Sequence, residues 1–213
     1  MGGIVARTLC LSLRYAWGMT RQERTLRIIA GEWRGRKFRF PDAQIRPTPD
    51  RVRETLFNWL QARVRGAHCL DLYAGSGALG LEALSRGAAS VLFIEQQRTV
   101  AQALNDLLLQ WQAVGARVIR GEALQVLRAR ATEKFDLVFL DPPYSAGAAG
   151  ELTAAITQLQ RGWLAPDARI YVEHAKSDQP AWPAPWHALR TGTAGEVRYH
   201  LLAKSEQGET GSP

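Results

Sequence analysis

From residue 68 onward, short apolar runs alternate with longer segments of helical character. The runs at 68–73, 90–95, 117–121, 135–140 and 168–174 predict strands. The stretches 78–86, 98–112, 124–131 and 148–162 predict helices. Regular alternation of strand and helix implies a doubly wound, mostly parallel α/β sheet covered on both faces. Two last apolar runs, 187–191 and 197–203, flank a glycine-rich turn. They read as an antiparallel pair that closes the sheet at seven strands.

Upstream the pattern changes. Residues 26–30 and 36–40 predict a small β-hairpin around Gly31-Glu32-Trp33-Arg34-Gly35. A loop containing Pro41, Pro47 and Pro49 follows. Asp50 then has the chemistry of a helix N-cap, and Val52, Leu56, Trp59 and Leu60 fall on one apolar face. That reading turns Arg51 and Arg53 away from the apolar face, and Gly66 ends the segment.

These patterns divide the chain into a leader (1–25) expected to be disordered, a basic hairpin-loop-helix arm (26–65), a main domain (66–204) and a disordered tail (205–213). Arg7 and Arg14 interrupt the apolar start, which makes it a poor signal peptide. Met19 offers a second start, so residues 1–18 read as an upstream extension. A chain of 213 residues suits one α/β domain with a small extension.

Charge sharpens this division. Residues 1–60 hold twelve arginines and lysines against five acids, which accounts for the whole net charge of +7. The rest of the chain is balanced. A basic block on a neutral domain is the signature of a polyanion-binding arm. No apolar run approaches the ~20 residues that span a bilayer. Cys10 and Cys69 are too few for a disulfide framework or a zinc site, so no metal is expected. A cytoplasmic, monomeric protein with reduced thiols is the expectation.

The chemistry lies at strand ends. The first strand of the main domain runs into Asp71-Leu72-Tyr73-Ala74-Gly75-Ser76-Gly77-Ala78-Leu79-Gly80. Gly75, Gly77 and Gly80 match G-x-G-x-x-G, a turn that lets backbone and a helix N-terminus approach a ligand. Glu95 ends the next strand, where an acid accepts from both ribose hydroxyls. These features alone fit NAD and S-adenosylmethionine equally. Two others separate them. Asp71 sits where a pyrophosphate would be repelled but an ammonium welcomed. Glu122, beside Ala123 after the third strand, adds an acid positioned to accept from an adenine amine. A cationic, phosphate-free nucleoside, S-adenosylmethionine, is therefore the expected cofactor. Asp71, Tyr73, Gly75, Gly77, Glu95, Glu122 and Ala123 form its expected site.

The fourth strand delivers Asp141-Pro142-Pro143-Tyr144. Prolines withhold N–H donors, so the backbone here offers carbonyl oxygens. Such a site suits a substrate that donates hydrogens, as an exocyclic base amine does. Asp141 and the Pro142 carbonyl are the expected acceptors, with Tyr144 stacking on the extruded base.

These motifs resemble the amino-methyltransferases with an (Asn/Asp)-Pro-Pro-(Tyr/Phe) signature. More narrowly, the chain resembles the RsmD family of bacterial 16S rRNA guanine-N2 methyltransferases, which act at guanine 966. The resemblance runs from about Leu26 to Ala203. It is carried by residues 27–36, Arg46-Pro47-Thr48, residues 51–58, 70–80 and 135–144. It implies a Rossmann-like class I methyltransferase fold and a partner in small-subunit ribosomal RNA. It also implies phosphate contacts by Arg27, Arg34, Arg36 and Lys37, with Arg46, Thr48, Arg51 and Arg53 nearer the active site. Glu122 departs from the Asp common at that position, and residues 1–18 match no part of the pattern. The alternatives are a DNA adenine-N6 methyltransferase, for whose target-recognition domain there is no room, and an NAD-dependent dehydrogenase, whose catalytic His or Tyr-Lys set is missing. A third is a non-catalytic RNA-binding assembly factor, which the intact acids argue against.

Overall fold

The computed structural model describes residues 23–41, 48–143 and 147–205. The leader upstream of residue 23, the tail beyond residue 205, and the site candidates Arg46 and Tyr144 lie outside the described residues.

The main sheet is built from β3 (His68–Asp71), β4 (Ser90–Glu95), β5 (Ala116–Arg120), β6 (Phe135–Leu140), β7 (Leu164–Ala175), β8 (Trp186–Ala194) and β9 (Val197–Lys204). The helices are α1 (Asp50–Trp59), α2 (Ala78–Ser85), α3 (Arg98–Trp111), α4 (Ala123–Leu127) and α5 (Ala148–Leu159). A separate hairpin pairs β1 (Glu23–Arg27) with β2 (Lys37–Pro41). The strand order is β5-β4-β3-β6-β7-β9-β8. The strands β3 to β7 are parallel, and β9 and β8 close the sheet antiparallel. This is the expected seven-stranded, mostly parallel sheet with an N-terminal hairpin. No helix among the described residues is long and apolar enough to cross a membrane.

The apolar runs are strands because both faces are covered. Along β6, Leu137 and Phe139 join a core shared with Val52, Leu56, Leu81 and Leu104 of α1, α2 and α3. Val138 and Leu140 join the opposite core, with Leu152 and Ile156 of α5. Strand order reverses between β3 and β6, so their C-terminal ends diverge and leave a crevice there. Gly80 sets the seat of α2 on the sheet, since a Cβ at that position would lie 2.2 Å from Phe93 Cε1.

The arm differs from its expected boundaries. The strand expected at 26–30 is instead Glu23–Arg27, and it starts inside the stretch expected as leader. The reason is tertiary. Past Ile28 the chain leaves the ladder, because the Ile29 and Ala30 amides donate to the buried Glu82 carboxylate on α2 at 2.8 and 3.0 Å. Ser85 completes the clasp: its Oγ donates to the Ala30 carbonyl at 2.6 Å and accepts from the Trp33 amide at 3.0 Å. At Gly31 a Cβ would fall 1.9 Å from the Ser85 carbonyl oxygen, so only glycine fits. Trp33 and Phe38 then pack edge-on against Trp111 of α3.

Helix α1 also corrects two expectations. Asp50 does not cap it; the Asp50 carboxylate accepts instead from Arg53 Nη2 at 2.6 Å and Arg27 Nε at 3.0 Å. Arg53 does not point away from the apolar face. It is 0% exposed, and its Nη2 also donates to the Arg27 carbonyl at 2.9 Å while Nη1 lies 3.9 Å from Glu82. The buried face is Val52, Arg53, Leu56 and Phe57, so Arg53 sits one helical turn before Phe57 on the core side.

Candidate active site

The crevice at the strand reversal is a cavity of about 550 Å³, within the size range of ligand clefts. Three loops wall it, following β3, β4 and β6, together with the start of α4 and the first turn of α5.

The loop after β3 turns through Gly75 and Gly77, with φ of 50° and 75°. A Cβ on Gly77 would meet Leu104 Cδ1 at 2.6 Å, so packing as well as φ calls for glycine. Asp71 ends β3 beneath this loop, and its Oδ2 accepts from the Gly80 amide at 3.0 Å. Burial pushes the Asp71 carboxyl up to about 7, against the pull of the Gly80 amide and with the help of nearby Glu95. Glu95 ends β4 and holds two loops at once. Its Oε2 accepts from the Gly75 amide at 2.9 Å and its Oε1 from the Gln97 amide at 2.6 Å.

Glu122 and Ala123 line the same cavity. The two oxygens of Glu122 accept from the Leu124 and Gln125 amides at 2.9 and 2.8 Å, so this acid caps α4. Tyr73 lies in the wall with its hydroxyl buried. Burial first, then the carboxylates of Glu151 and Glu122, holds that phenol protonated well above the usual tyrosine range. Glu151 and Ser76 also line the cavity, and sequence reasoning missed both. Glu151 lies in the first turn of α5, where an acid is common for helix electrostatics alone, so nothing in its position singled it out.

Asp141, Pro142 and Pro143 form the wall beyond β6. Thr48 faces them from the segment preceding α1, with its Oγ donating to Asp141 Oδ2 at 3.3 Å. Thr48 was expected among the RNA-binding residues and nearer the active site; it is 5% exposed and lines the cavity.

The basic candidates divide. Arg27, Arg34, Arg36, Lys37 and Arg51 are exposed. Arg27 is paired with Asp50, and Arg36 lies over the Trp111 ring at 4.3 Å. Arg53, expected beside the RNA, is wholly buried under the arm and cannot reach a phosphate. It holds Asp50 and the Arg27 carbonyl instead.

The donor set of the cavity tests the expected cofactor. Its described wall carries five carboxyl groups (Asp71, Glu95, Glu122, Asp141 and Glu151) and no Lys, Arg or His. Such a wall opposes a pyrophosphate and fits a nucleoside that bears positive charge.

The family model described as conserved hypothetical protein 95 matches residues 26–203. The chain is 46% identical over 187 residues to the ribosomal RNA small subunit methyltransferase D of Escherichia coli K12, covering 87% of this chain and 93% of that one. It is 43% identical over 180 residues to the protein of the same name from Haemophilus influenzae, covering 83% and 92%. Among solved structures, a putative methyltransferase, yhhF, from Escherichia coli superposes with a TM-score of 0.78 at 44% identity, over 86% of this chain and 100% of that one. A match that spans the hairpin, the glycine loop and the Asp-Pro-Pro segment together makes this chain a member of the RsmD family, that of the ribosomal RNA small subunit methyltransferase D proteins.

Proposed function

We propose that this protein transfers a methyl group from S-adenosylmethionine to the exocyclic N2 amine of a guanine in small-subunit (16S) ribosomal RNA. The observation that carries this reading is a cavity whose charged side chains, among the described residues, are all acidic, with Asp141 and Pro142 in its wall. The names of the relatives support a ribosomal RNA substrate.

In this reading S-adenosylmethionine supplies an electrophilic methyl group on a sulfonium. Glu95 would hold its ribose hydroxyls, Asp71 its ammonium, and Ala123 and Glu122 its adenine. Tyr73 and Gly75 complete the wall, while Gly77, outside the lining, turns the loop and packs against Leu104. The guanine amine is a poor nucleophile because its lone pair is delocalised into the ring. Asp141 and the Pro142 carbonyl accept the two N–H hydrogens, which favours a more tetrahedral nitrogen with its lone pair directed at the methyl carbon. S-adenosylmethionine would supply the methyl group, and Asp141 would take up the proton that the amine releases. Positioning and electrostatics carry most of such a rate enhancement. Tyr144 stacks on the extruded base, and Arg27, Arg34, Arg36, Lys37, Arg46 and Arg51 contact the RNA backbone.

The test is transfer of tritiated methyl to small subunits, naked ribosomal RNA and DNA, followed by nucleoside analysis. Label is expected in N2-methylguanosine from small-subunit RNA. Label in DNA, in N6-methyladenosine, or nowhere sinks the reading.

A further inference from the structure

The hydrogen bond between Thr48 and Asp141 joins residues 93 positions apart, and both partners line the cavity. Each is followed by a proline, Pro49 and Pro142. A residue before proline is confined to extended backbone, so both main chains are stiff at this point. Thr48 is also β-branched, which restricts its χ1. The terminal bond of an aspartate has intrinsically broad rotation, so the orientation of the Asp141 carboxylate is set by the groups it meets. The hydroxyl of Thr48, a residue 5% exposed, is one such group.

Thr48 is itself held from the arm. The Pro49 carbonyl accepts from the Val52 and Arg53 amides at 2.9 and 3.1 Å, which ties the segment to the first turn of α1. Asp50 is gripped by Arg27 of β1 and by buried Arg53. A chain of contacts thus runs from the exposed arm to the carboxylate.

We infer that Thr48 is a positioning residue, whose hydroxyl sets the rotation of the Asp141 carboxylate toward the target amine. The inference rests on the methyl-transfer reading above. The 3.3 Å separation is long for a hydroxyl on a carboxylate and leaves room to tighten as substrate closes the site. Thr48 need not touch the cofactor or the base to act this way.

The experiment compares Thr48→Val, which keeps shape and branching but removes the hydroxyl, with Thr48→Ser, which keeps the hydroxyl. Methyl transfer to small-subunit RNA is measured at saturating RNA and S-adenosylmethionine, with calorimetric affinity for S-adenosylmethionine in parallel. For Thr48→Val, kcat is expected to fall about 10–100-fold, the cost of a misplaced catalytic group, with KM and cofactor affinity within about twofold. Thr48→Ser is expected to recover kcat to within about threefold, as one hydroxyl replaces another. If the valine variant does not fold, Thr48→Ala stands in its place. An undiminished kcat, a serine variant as slow as the valine one, or a cofactor affinity that falls in step with kcat overturns the inference. Wild-type protein that leaves small-subunit RNA unlabelled overturns the methyl-transfer reading and this inference with it.

Discussion

The cleft gathers carboxyl groups and the arm gathers arginines, and the two regions hold their charge in different ways. Asp71, Glu95 and Glu122 each accept backbone amides, so their positions are set by the loops they pin. Arg34, Lys37 and Arg51 stand exposed. One arginine breaks the contrast: Arg53, two residues from exposed Arg51 on the same helix, is wholly buried. Charge sign alone therefore does not separate contact residues from scaffold. Burial and partners do.

The largest effect expected is at Asp141. Asp141→Ala should reduce methyl transfer by about a thousandfold, a loss typical of removing a preorganised polar group. Affinity for S-adenosylmethionine should stay within about threefold. Retained turnover would remove Asp141 from the chemistry.

The two arginines of α1 sharpen the comparison. Arg53→Ala strips a partner from buried Glu82 and from the Arg27 carbonyl. Losing one side of a buried ion pair costs about 3–5 kcal/mol. Arg51→Ala should change stability by under about 0.5 kcal/mol, as exposed substitutions do. Urea denaturation of both variants checks this, and equal losses would erase the distinction between them.

Asp71 gives a pH dependence. Its carboxyl sits near 7 in the ligand-free protein, chiefly through burial. A cationic ligand favours the ionised form, so binding releases a proton and tightens as pH rises through about 7. Calorimetry should find S-adenosylmethionine binding about tenfold tighter at pH 8 than at pH 6, levelling above that. Asp71→Asn should flatten the profile. A flat wild-type profile would detach Asp71 from the ligand.

The smallest effect belongs to the arm. Reversing charge at Arg34 and Arg36 should reduce the slope of log affinity for small-subunit RNA against log salt by about 1.5–2, as two phosphate contacts disappear. An unchanged slope would place the RNA contact elsewhere.

Sequence pattern located β4 and β6 to the residue, because each is a short apolar run bounded by polar turn positions and buried on both faces. It located Asp71, Glu95 and Asp141 for a related reason. Strands end where the apolar run ends, and a parallel sheet puts those ends on one side. It was blind to Glu151, because an acid in a first helical turn needs no ligand to explain it. It set the first arm strand three residues late and misread Asp50 and Arg53, because the partners that decide them lie on α2 and on β1.

By itself, then, the sequence determined the doubly wound sheet, the acids at its strand ends and the segregation of positive charge in the arm. Each follows from neighbours along the chain: periodicity, turn residues, and the run of a strand into its loop. Only the tertiary structure decided that Arg53 is scaffold, that Glu82 clasps the arm to α2, and that Thr48 bears on Asp141. Those roles depend on burial and on partners 26 to 93 residues away, which local pattern does not encode.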